Sequence, residues 1–180
     1  MDKGKRKKCH IPYLEKHVSK TKMAREMIDR IHDLLPIKPY WVGFDALYGT
    51  CLELLYWLEE VEQRFVAEIK TSTCFHLEIP QPYLPDHKKG RPAKYYRVNQ
   101  KAISLKAYLQ TLSDEDFLPV CYRAGTKGNM KADYHRKTVW IWDKHNNYPI
   151  RCELLLKKEK HEIKATLISR AEAITTEKLA

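Results

Sequence analysis

Residues 40–70 read YWVGFDALYGTCLELLYWLEEVEQRFVAEIK, and this stretch limits the fold more than any other. The aromatic and β-branched run YWVGF predicts a buried strand that ends on Asp45. Leu52, Leu54, Leu55, Leu58 and Val61 then give the apolar side of a helix. Thr50 and Glu53 have the T-x-x-E spacing of a capping box that would open it. Residues 64–70, RFVAEIK, predict a second strand. Two strands joined through a helix pair in parallel by a right-handed crossover. Upstream, Met23, Ala24, Met27, Ile28, Ile31, Leu34 and Leu35 repeat at helical spacing, which predicts a helix with this stripe in the core. Thr21 is its expected cap, and Pro36 and Pro39 stop it. Helix, strand, helix, strand is the order of an α/β unit.

Beyond residue 71 the texture changes. Pro80, Pro82, Pro85, Pro92, Gly90, Gly125 and Gly128 cut the chain into short pieces. Residues 95–98, 117–123, 138–142 and 150–157 favour strand, and residues 104–113 a short helix. The segment AEAITTEKLA at the end reads as helical. Four regions follow: a basic arm at 1–22, an α/β core at 23–71, a β-rich insertion at 72–168, and a further segment from 169 to 180.

The 180 residues are enough to bury one core. Hydrophobic residues at 43% and charged residues at 31% mark a globular chain. Thirty-three lysines and arginines against 23 acids give a net charge of +10 and a pI near 9.3. Such a surplus suits a polyanionic partner, or simply a basic surface. The arm carries Lys3, Lys5, Arg6, Lys7, Lys8, Lys16, Lys20 and Lys22 against Asp2 and Glu15; it could touch phosphates or stand solvated. Cys9, Cys51, Cys74, Cys121 and Cys152 are widely spaced with no CxxC pair, which argues against a disulfide framework and a zinc ribbon. No apolar run reaches the length of a membrane span or forms a signal peptide, so a reducing cytoplasm is the expected setting.

Asp45 is the first candidate for chemistry. Ligands of open α/β sheets gather where strands end and helices begin. A carboxylate there can bind a hard divalent cation, or it can cap the next turn through backbone N–H groups. Arg123-Ala124-Gly125-Thr126-Lys127-Gly128 could offer N–H groups to a phosphate, or could be a hairpin turn; the P-loop spacing is absent. Lys88-Lys89-Gly90-Arg91-Pro92 is a similar basic turn. Trp140 and Trp142 alternate, so one can face the core and the other outward, for packing or for base stacking. The histidines are scattered and none is tied by sequence to a nucleophile.

SKTKMAREMI, WVGFDALYG, GRP, the run from SLKAYLQTL through RAGTKGNMKADY to VWIWD, and LISRAEAITTEKL together resemble, in order and spacing, the insertion-sequence transposases of the DDE superfamily. The resemblance implies α/β; a partial RNase H-like core with a β-rich insertion. It makes Asp45 the second of three catalytic, metal-binding acids around Mg²⁺ or Mn²⁺ ions. It makes DNA, at transposon ends, the partner, with Lys5, Arg6, Lys7, Lys8, Lys89, Arg91, Arg123, Lys127 and Lys131 as contacts. The first acid is expected on a strand before the first helix, where this chain has a basic arm; the third is expected on a helix that does not follow. The resemblance therefore implies an internal fragment, inactive alone. It also implies a long apolar strand edge on YWVGFD, open to self-association or a partner chain. A non-catalytic DNA-binding module is the alternative. A small complete nuclease that recruits Asp133 or Asp143 is a third reading.

Overall fold

The computed structural model describes residues 8–9, 18–35, 39–86, 90, 92–125, 128–159, 162–171 and 174–179. The chain divides into two units, Met1–Lys38 and Pro39–Ala180.

In the first unit, helix α1 spans Lys20–Leu34. Ser19 caps it rather than Thr21: the Ser19 hydroxyl accepts from the Lys22 N–H at 3.2 Å, because the first turn closes one residue before Thr21. Leu35 is extended, as the residue before a proline tends to be. The stripe expected in the core is not there. Ile28 is buried, but Met23, Met27, Ile31, Leu34 and Leu35 are exposed. Within this unit α1 is the one extended element among the described residues, and a lone helix has no second layer of its own to cover an apolar face.

The second unit is built on a six-stranded sheet. In chain order the elements are β1 (Val42–Phe44), α2 (Ala46–Gly49), α3 (Leu52–Glu60), β2 (Phe65–Glu68), β3 (Cys74–Phe75), β4 (Ile103–Ser104), α4 (Leu105–Leu109), β5 (Leu118–Gly125), β6 (Gly128–Ile141), β7 (Ile150–Glu159), β8 (Glu162–Ser169) and α5 (Thr176–Leu179). The sheet order is β1-β2-β8-β7-β6-β5, while β3 and β4 form a separate antiparallel pair. β1 and β2 are parallel, Val42 opposite Phe65 and Phe44 opposite Ala67, as the crossover requires. The rest of the sheet is antiparallel, and β8 returns to lie against β2 with Ala67 opposite Leu167. The fold is thus mixed α/β, as expected, and compatible with a partial RNase H-like core. The β-rich stretch does not hang apart; it extends the same sheet.

Both faces are covered. By register, Ala67, Leu167 and Leu154 share one face, and all are fully buried, as are Phe65, Val139, Ile141 and Leu156. Leu52 and Leu55 of α3 line a small cavity with Ile141 and Leu167, which places α3 on this side. On the opposite face Val120, Tyr134, Leu155 and Ile168 pack with Ala171, and Ile174 and Leu179 lie against them. Arg136 fastens that last segment. Its Nη2 donates to the Ala171 carbonyl at 2.9 Å and its Nη1 to that of Ile174. Its Nε donates to Glu153 Oε2 at 2.9 Å, and Thr138 donates to Oε1 at 2.9 Å, so the buried Glu153 carboxylate is fully engaged.

Other local expectations change. Thr50 does not open α3: its hydroxyl turns back to the Ala46 carbonyl at 3.0 Å, α3 starts at Leu52 after Cys51, and Glu53 falls one position short of a capping box. Residues 95–98 make no strand; Arg97 forms only an isolated bridge with Tyr83.

Gly49 ends α2 against β2. A Cβ there would lie 2.0 Å from the Glu68 carbonyl oxygen and 3.1 Å from Ala67 Cβ. Backbone atoms on both sides cannot yield cheaply, so Gly49→Ala is expected to cost about 2–3 kcal/mol in urea denaturation. A change under about 0.5 kcal/mol would refute this reading of the contact.

Candidate functional site at the tip of strand β1

β1 is the edge of the sheet, with β2 its single neighbour among the described residues. Its backbone runs straight into Asp45, which stays extended at φ −75° and ψ 175°. The chain turns immediately afterwards into α2, so the carboxylate stands at the C-terminal end of the strand and is exposed. It also caps: Oδ1 accepts from the Leu47 N–H at 2.9 Å and more loosely from Tyr48 at 3.4 Å. The two readings of Asp45 are therefore compatible. One oxygen fixes the turn, and the other accepts no hydrogen bond from the described residues.

The lead-in to β1 differs from a buried strand. Tyr40 is 62% exposed and receives the Arg64 guanidinium over its ring at 4.3 Å, with Trp41 on the same cation at 5.8 Å. Val42 and Phe44 are half-buried and Gly43 is exposed. The open edge expected on YWVGFD is present, but with three strand residues it is short rather than long.

A second acid stands nearby that sequence reasoning did not single out. Phe44 pairs with Ala67, and the next residue on β2 is Glu68, exposed at the matching parallel strand end. Its one signal in the sequence is the alternation in FVAE, which any solvent-facing glutamate would show. Among the described residues, no three His, Cys, Asp or Glu side chains group as cation ligands. Asp133 lies on β6, four strands from β1 in the sheet, roughly 19 Å away at ordinary strand spacing, and cannot share a cation with Asp45. Asp143 sits in a turn whose carbonyl accepts from the Asn146 N–H at 3.0 Å. Magnesium demands about six oxygen ligands, and one carboxylate with one free oxygen does not supply a site for it.

Of the expected DNA contacts, Lys8 is exposed. Lys131 is exposed on β6 and shares an open cleft of about 520 Å³ with Lys158, Asp133, Glu159 and Glu162. Arg123 belongs to β5, with its side chain outside the described residues; Lys5, Arg6, Lys7, Lys89, Arg91 and Lys127 also lie outside them. The RAGTKG segment joins β5 to β6, whose pairing runs up to Gly125 opposite Gly128. Trp140 and Trp142 are both half-buried, and the Trp142 indole N–H donates to the Asn146 carbonyl at 2.9 Å, so it braces a turn. His135 is held between the Tyr108 hydroxyl at 2.9 Å and the Asp116 carbonyl at 3.0 Å. Burial pushes the His76 imidazole below its ordinary pKa, and its Nδ1 has no hydrogen-bond partner among the described residues. No described helix is long and apolar enough to cross a membrane.

The sequence model of one protein family, described as DDE superfamily endonuclease, matches residues 1–129. That is most of the chain, and it includes Asp45 and both parallel strands: the chain belongs to this family. The resemblance carried by WVGFDALYG and the other motifs within these residues is borne out; VWIWD and LISRAEAITTEKL lie beyond the match. No curated protein and no solved structure gives a match.

Because Asp45 caps α2, its removal carries a structural cost separate from any chemistry. Asp45→Ala is expected to lower stability by about 1 kcal/mol, whereas Asp45→Asn, which still caps, should stay within a few tenths. Equal stability of both variants in thermal melts would show that the cap is not formed in solution.

Proposed function

We propose that this chain is a DNA-acting part of a DDE-type transposase or nuclease, and that it brings one acid, Asp45, to a cation site it does not complete. The observation that carries this is the exposed carboxylate at the tip of an open-edged strand, inside the residues matched by the family. The other acids would come from chain seated against the free side of β1, which is the edge strand of the sheet. An added strand there would extend the sheet past Asp45 and set its own side chains beside that carboxylate. Mg²⁺ or Mn²⁺ belongs to this reading only through such an assembled site. The net charge of +10 supports DNA as the partner.

A binding module with no part in cleavage is the second reading, favoured by the lack of a three-ligand group among the described residues. Supercoiled plasmid with Mg²⁺ or Mn²⁺, incubated with the native chain and with Asp45→Ala, addresses both. The expected result is no nicking above buffer by either protein, with DNA binding unchanged by the substitution. Cleavage by the chain alone that disappears in Asp45→Ala would overturn the incomplete site. Nicking restored by adding a peptide with an acid-bearing β-strand, and dependent on Asp45, would exclude the pure binding module.

A further inference from the structure

Two segments outside every contact expected from the sequence meet on the surface of the second unit. One is Lys94-Tyr95, the other Lys144-His145, and all four residues are exposed. The Lys144 ammonium lies over the Tyr95 ring at 4.5 Å from its centre and that of Lys94 at 5.6 Å. The His145 ring meets Tyr95 edge-on at 5.0 Å. None of the four forms an ion pair with a carboxylate among the described residues.

The arrangement is held by backbone. The Tyr96 N–H donates to the Lys144 carbonyl at 2.9 Å and ties the two segments together. Residues 143–148 are braced by Trp142 on Asn146, and by the buried Tyr56 hydroxyl, which donates to the Tyr148 carbonyl at 2.8 Å and receives the Asp143 N–H at 3.3 Å. Arg97, also exposed, exchanges two 2.9 Å backbone bonds with Tyr83. Two ammonium groups are thus brought to one aromatic ring on a fixed base, and no carboxylate among the described residues pairs with either. Like charges gathered in this way repel, and an anion between them relieves the repulsion.

We propose that Lys94, Tyr95, Lys144 and His145 form a contact for the phosphate backbone of duplex DNA, an inference that rests on the DNA reading above and names where part of that binding occurs. The lysines lie over the ring, so Tyr95 serves as their seat rather than as a platform for a base. The contact is therefore independent of base sequence.

The test measures fluorescence anisotropy of a labelled duplex against salt, for the full chain and for Lys94→Gln/Lys144→Gln. Loss of two phosphate contacts should reduce the slope of log K against log salt by about 2 and weaken binding about tenfold or more at low salt, equally for unrelated sequences. Tyr95→Phe should bind as the native chain does, and Tyr95→Ala should bind several-fold more weakly. Lys106→Gln, an exposed lysine on α4, is the control for simple loss of charge. All positions are on the surface, and circular dichroism confirms that the variants fold. If the native chain binds and the double variant keeps its slope, or loses no more than Lys106→Gln, the patch is refuted while the DNA reading stands. If the native chain does not bind duplex DNA, the DNA reading fails and takes the patch with it.

Discussion

The β2–β8 ladder is the interaction on which the rest of the second unit depends. Three pairs, Val66–Ile168, Ala67–Leu167 and Glu68–Thr166, join a short parallel crossover to a four-stranded antiparallel meander. Alone, β1 and β2 would be a two-stranded ribbon, too small to hold itself in water. With β8 in place, Ala67 lies in an apolar face that runs on through Leu167 and Leu154. Asp45 is then referred to the whole sheet through β2, and Gly49 allows the α2 backbone to come close enough to β2 to keep the turn after Asp45 tight.

Asp45 combines two roles that are often set against each other. A cap holds a carboxylate in one orientation, and a strand tip presents it to solvent. Here Oδ1 serves the backbone of α2, and the position of the group is fixed before any ligand arrives. Under the proposed function, such placement would suit a shared site, because the acid would not have to be ordered again as further ligands came up.

Much of the fold was legible in the sequence. The parallel pairing of β1 and β2 follows from the apolar runs around Val42 and Phe65 and the leucine-rich helix between them. The strand content at 117–123, 138–142 and 150–157 follows from β-branched and aromatic residues, whereas the first part of β6 and all of β8 were not read as strands. The place of β8 was not legible, because IKATLIS would suit any apolar edge and only the assembled sheet selects β2. Caps were misjudged at Thr21 and Thr50, since neither a lone threonine nor T-x-x-E spacing says at which residue the first turn closes. The half-burial of β1 was hidden too: YWVGF looks like core, yet Tyr40 is spent on the Arg64 guanidinium at the surface. At the site, Asp45 was legible as a strand tip, Glu68 was not, and the meeting of Tyr95 with Lys144 depends on a backbone bond between segments about fifty residues apart.

The ladder between β2 and β8 closes a loop of about a hundred residues, whereas β5 to β8 follow one another closely in sequence. Local hairpins form early, and distant strand pairing waits on loop closure. During synthesis β1 and β2 leave the ribosome long before β8 exists to flank them. Asp45 is therefore made well before the strand that locks its sheet in place, and any co-translational partner meets it while that sheet is still unfinished.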